Sequence, residues 1–117
     1  MSSTPSRSPD PGRRIAARKA LRVNATLAFG GTAAAVQTRD LARDGLSLVA
    51  TRPISPGTRC QVDFDVPLGQ GESRHLSASA RVVYSSYVAP GEFRVGAVFT
   101  ELGEDSAYVL GEFATKF

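Results

Sequence analysis

Cysteine and histidine each occur once, as Cys60 and His75. A lone cysteine closes no internal disulfide and points to a reducing, cytoplasmic setting. One of each, with no further ligands at metal spacing, builds neither a zinc site nor a Cys–His nucleophile. No apolar run approaches the roughly 20 residues that cross a bilayer, so no membrane span is expected. The arginines near the N-terminus are not followed by an apolar segment, and no secretory signal is expected. Charge of one sign is scarce too. Against 11 acidic residues stand 14 Lys and Arg, a net charge of +3 that is too small to argue for nucleic-acid binding. Asp63 and Asp65 share one face of a predicted strand, where paired carboxylates are ordinarily solvated. No catalytic set emerges, no cofactor is implied, and the chain reads as a non-enzyme.

What remains is a chain of 117 residues with 42% hydrophobic content, enough for one domain with a modest core. Residues 1–13, rich in serine and proline, form an expected flexible tail, because they bury too little to offset their ordering entropy. Residues 14–117 form the expected domain. Leu21, Val23, Ala25, Leu27 and Phe29 alternate with polar residues, predicting a first strand that turns at Gly30-Gly31. Further strands are predicted to about Asp40, from Gly45 to Val49, around Gln61 to Val66, from His75 to Tyr84 and from Phe93 to Phe99. Glu104 and Asp105 suit a helix N-terminus, and Val109, Leu110, Phe113 and Phe117 recur at helical spacing. The expected fold is all-β, mainly antiparallel: a six-stranded β-barrel with a C-terminal α-helix. Gly96 is read as structural, allowing close packing.

Two polar clusters fall at one end of the first hairpin. Arg18-Lys19-Ala20-Leu21-Arg22 is an R-x-x-x-R run entering the first strand, although Arg14 to Arg18 has the same spacing. Asp40-Leu41-Ala42-Arg43-Asp44-Gly45 follows the second strand. Counting outward from the turn sets Arg22 opposite Arg39, with Asp40 beside them. Two guanidinium groups and a carboxylate at one sheet end suit a flat anionic ligand with phosphates and a polar heterocycle edge.

These residues resemble the pattern of the PilZ family, R-x-x-x-R followed by [D/N]-x-S-x-x-G. Arg18, Arg22, Asp40 and Gly45 match it, and Ala42 stands where serine is expected. The resemblance extends through Pro53-Ile54-Ser55-Pro56-Gly57-Thr58, Ala80-Arg81-Val82-Val83-Tyr84 and Phe93-Arg94-Val95-Gly96-Ala97-Val98-Phe99, over about residues 14–117. It implies a receptor for the bacterial second messenger cyclic di-GMP. Arg18, Arg22, Asp40, Ala42 and Gly45 would line the ligand site, with Arg14, Arg39 and Arg43 as possible additions. Asp40 would accept from the N1–H and N2–H₂ groups of guanine. The hydroxyl missing at Ala42 predicts about 2- to 12-fold weaker binding, the equivalent of one ordinary hydrogen bond.

In the expected mechanism, ligand orders the Arg13–Arg22 arm, which then signals to an unidentified downstream protein. The alternative is a degenerate PilZ adaptor, for example in pilus assembly, that binds no nucleotide. A nonspecific nucleic-acid binder is the third reading, and the low charge and lack of an aromatic-lined basic face count against it.

Overall fold

The structure, a computed structural model, describes residues 18–116. The expected tail, Arg13, Arg14 and Phe117 lie outside the described residues. The elements are β1 (Lys19–Ala20), β2 (Asn24–Phe29), β3 (Thr32–Ala42), β4 (Gly45–Ala50), β5 (Arg59–Gly69), β6 (Glu72–Ala89), β7 (Glu92–Leu102) and α1 (Glu104–Lys116).

The expected six-stranded barrel is corrected. The seven strands of the described residues form one antiparallel sheet in the order β1-β3-β2-β5-β6-β7-β4, and β3 pairs with β4 in addition. The extra strand, β1, precedes the first expected strand, whose opening residues Leu21, Arg22 and Val23 form a break between β1 and β2. Thr38 of β3 is fully buried, and its hydroxyl donates to the Leu21 carbonyl and accepts the Val23 N–H at 2.9 Å. A side chain thus takes over backbone bonds in the middle of the ladder, and β1 separates from β2.

Alternation sets which faces meet. Along β5, Cys60, Val62, Phe64, Val66 and Leu68 point inward, and Leu76, Ala78, Ala80 and Val82 of β6 join them in the same cluster. Leu46 and Leu48 of β4 and Val95 and Ala97 of β7 continue that core. The helix stripe closes it: Val109, Leu110 and Phe113 are buried, and α1 packs against β5, β6 and β7. Each such side chain contributes roughly 1.5–3 kcal/mol on burial.

Two polar contacts fix the helix ends. The Ser106 hydroxyl donates to the Ser77 carbonyl and accepts the Ser77 N–H, both at 2.9 Å. At the other end Lys19 of β1 donates to the Ala114 carbonyl at 2.9 Å, a cation set against the helix C-terminus. The helix therefore anchors the strand that begins the R-x-x-x-R run.

Thr38→Val keeps the shape but orphans the Leu21 carbonyl and the Val23 N–H. The expected loss is roughly 1–3 kcal/mol, read as a lower urea midpoint with an unchanged slope. An unchanged midpoint would mean that the hydroxyl does not hold this break.

Candidate functional site

Gly30 and Gly31, both at positive φ, make the turn that sets the β2–β3 register, from Phe29↔Thr32 to Asn24↔Gln37. That count fails beyond Val23 and Thr38. Beyond the break the pairs are Ala20↔Asp40 and Lys19↔Leu41, a shift of one residue. Leu21, not Arg22, donates its N–H to the Arg39 carbonyl at 3.0 Å, and Thr38 donates to the Val23 carbonyl at 2.8 Å. The expected pairing of Arg22 with Arg39 is thereby corrected. A second shift lies across β3–β4, between Thr38↔Leu48 and Asp40↔Ser47, and leaves Arg39 without a partner in β4. Such irregularities re-aim side chains. Arg22 is exposed, Arg39 half-buried, and both lie beside a strand displaced from the simple ladder.

Arg18 and Asp40 meet. Arg18 Nη1 donates to Asp40 Oδ1 at 2.8 Å, with side chains 50% and 28% exposed. An ion pair this open contributes about 0–1 kcal/mol and is readily exchanged for another partner. Arg22 has no recorded partner among the described residues, and Arg14 lies outside them. Arg43 lines, with Tyr108, Gly111, Glu112 and Thr115, a depression of about 350 Å³ at α1.

Ala42 and Gly45 pair across the Arg43-Asp44 turn. Ala42 is buried, 3% exposed. The need for glycine at 45 is close approach of backbone, since a Cβ there would lie 2.2 Å from the Ala97 carbonyl and 3.0 Å from Val98 Cα. This glycine seats β4 on β7.

A row across the outer face went unread in the sequence. Directly paired residues share a face, and the pairs Asp40↔Ser47, Ser47↔Gly96 and Gly96↔Tyr84 run through four strands. Leu46 and Leu48 point into the core, so Ser47 faces the other way. The Tyr84 ring lies over Gly96, where a Cβ would come within 2.1 Å of it. Gly96 thus makes room for a tyrosine rather than for a neighbouring strand. Ser47 is 2% exposed, and among the described residues neither its Oγ nor Arg94 Nε has a hydrogen-bond partner. A buried unpaired group of this kind costs about 1–3 kcal/mol. Strand alternation could have turned Ser47 outward, but nothing local marks it as buried.

Elsewhere on the sheet, Asp63 and Asp65 do not stand as free carboxylates. His75 lies 3.0 Å from Asp65 through Nδ1 and 3.2 Å from Asp63 through Nε2. The hydrogen bond to Asp65, then that to Asp63, raises the His75 pKa above its ordinary value. Among the described residues no group of three or more His, Cys, Asp or Glu could hold a metal ion. No described helix is long and apolar enough to cross a membrane.

Gly45→Ala should cost at least the roughly 1–3 kcal/mol of an overpacked core, because its clash is with backbone, and thermal unfolding should show it. The His75 cluster sets a pH dependence. Its stabilisation is complete below the unfolded imidazole pKa and disappears as pH rises through the raised folded value. The expected effect is small, because the imidazole is exposed. His75→Gln should flatten that part of the stability profile, and an identical profile would show that the carboxylates leave the imidazole unperturbed.

A family model for the PilZ domain matches residues 12–115. No curated protein matches the chain. Among solved structures, the fold is similar to that of the inhibitor of motility from Bacillus subtilis, with TM-score 0.76 and 11% identity over 90% of this chain and 51% of that one. The PlzA protein of Borreliella burgdorferi, solved in complex with c-di-GMP, has TM-score 0.55 and 16% identity over 77% and 31%. The PilZ domain of CeSA from a cellulose-synthesizing bacterium has TM-score 0.60 and 17% identity over 85% and 95%. The chain therefore spans about half the length of the first and a third of the second. At these identities the likeness is one of fold.

Proposed function

The chain belongs to the PilZ domain family, whose members are receptors and adaptors rather than enzymes, and on that premise we propose that it is a cyclic di-GMP receptor. The observation that carries the reading is the 2.8 Å ion pair between Arg18 and Asp40. It joins the R-x-x-x-R run to the strand bearing Asp40, Ala42 and Gly45, two segments 22 residues apart in sequence.

In this reading Arg18 and Arg22 bind the phosphates or the O6/N7 edge of guanine as planar forks. Asp40 accepts from guanine N1–H and N2–H₂, which selects guanine over adenine. The ligand takes over contacts of the weak Arg18–Asp40 pair, and the arm rearranges. Arg39, displaced from the β4 ladder, adds a further cation. Arg14 and Arg43 are secondary candidates, Arg43 the weaker because it lines the depression at α1. The rearranged arm presents a changed surface to a downstream protein partner. Ala42, buried and without a hydroxyl, favours the second reading, an adaptor of the same family that acts through protein contacts alone.

Calorimetric titration with cyclic di-GMP at physiological salt, with cyclic di-AMP and GTP as controls, separates the two. Saturable binding to cyclic di-GMP alone is expected. Arg22→Ala should weaken it roughly 10- to 150-fold, the equivalent of a charge-assisted bond, with an unchanged circular dichroism spectrum. No heat at high ligand concentration, together with an unchanged melting temperature, would leave the adaptor.

A further inference from the structure

We infer that Ser47 supplies the site with the hydroxyl that Ala42 lacks, from the neighbouring strand. The inference rests on the cyclic di-GMP reading and adds to it a residue outside the R-x-x-x-R and D-x-A-x-x-G runs. Ser47 pairs directly with Asp40 across β3–β4 and shares its face. Its hydroxyl is buried and has no hydrogen-bond partner among the described residues. Buried hydroxyls ordinarily find partners, because water cannot solvate them and an apolar residue would cost less there. Alanine would fill this position without an orphaned polar atom. A serine kept unpaired beside the carboxylate is explained by a partner that arrives from outside.

The chemistry of that partner follows from the neighbour. Asp40 accepts from the N1–H and N2–H₂ donors of a guanine edge, and the O6 carbonyl beside those donors is the acceptor that a hydroxyl next to Asp40 serves. The second register shift, at Arg39, lies between Thr38 and Asp40, where β3 is displaced against β4. At 2% exposure the hydroxyl is reached only as side chains over the row swing aside. Tyr84, whose ring lies across Gly96 beside Ser47, is 41% exposed.

Two measurements on the full chain test this. Ser47→Ala should weaken cyclic di-GMP binding roughly 2- to 12-fold, the equivalent of one ordinary hydrogen bond. Without ligand, the same variant should melt at the same temperature or higher, because it removes an orphaned polar atom. Ser47→Cys, near in size with a weak donor, should also weaken binding. Unchanged affinity in Ser47→Ala, with the parent chain binding normally, overturns the inference and leaves the receptor reading intact. A lowered melting temperature with unchanged affinity also overturns it, by showing that the hydroxyl is structural. A parent chain that does not bind at all ends the receptor reading, and this inference with it.

Discussion

The bridge made by the Thr38 hydroxyl is the contact on which the geometry of the site depends. It takes the Leu21 carbonyl and the Val23 N–H out of the ladder, so β1 meets β3 one residue out of step with β2. Arg22 falls in that gap. One position along β3, Arg39 falls in the corresponding gap against β4. Regular pairing would have set both guanidinium groups in line with the ladder. The interruption turns the sheet end into a local irregularity of the sort that carries binding residues, with Asp40 at its centre.

Rigid packing surrounds this irregular end. Gly45 seats β4 on the β7 backbone, Leu41 and Leu46 pair in the core, and Lys19 ties the start of the arm to the last turn of α1. The exposed Arg18–Asp40 pair is the weak element by contrast, worth about 0–1 kcal/mol. A site built so can exchange its surface contacts without disturbing its scaffold. The unpaired Ser47 hydroxyl adds a small local cost of folding, next to the carboxylate that would read a base.

Much of the architecture was legible because it repeats locally. Alternation identified the inward face of the first strand, where Leu21, Ala25 and Leu27 are buried, and helical spacing identified Val109, Leu110 and Phe113 as the buried stripe. The Gly30-Gly31 turn gave the β2–β3 register as far as Asn24↔Gln37. Strand ends were read short: β6 runs on through Ser85, Ser86, Tyr87 and Val88 to Ala89, where hydrophobic alternation lapses and pairing with β7 sustains the strand. The fold expectation missed β1 for a similar reason. Nothing in Leu21-Arg22-Val23 itself announces a break, because the group that makes it lies about 15 residues away.

By itself the sequence determined the inward face of the first strand, the glycine turns and the helix stripe, while Arg18, Arg22, Asp40, Ala42 and Gly45 were singled out by their resemblance to a family pattern. The faces, turns and stripe follow from side-chain periodicity and from residue types at short spacing, which local chemistry governs. Tertiary structure alone decided that Arg22 and Arg39 are displaced rather than opposed, that Arg43 lines a depression at α1, that His75 holds Asp63 and Asp65, and that Ser47 is buried beside Asp40 without a partner among the described residues. Each of these depends on one hydrogen bond, one register shift or one burial between residues distant along the chain. Contacts of that kind carry no period for a sequence to show.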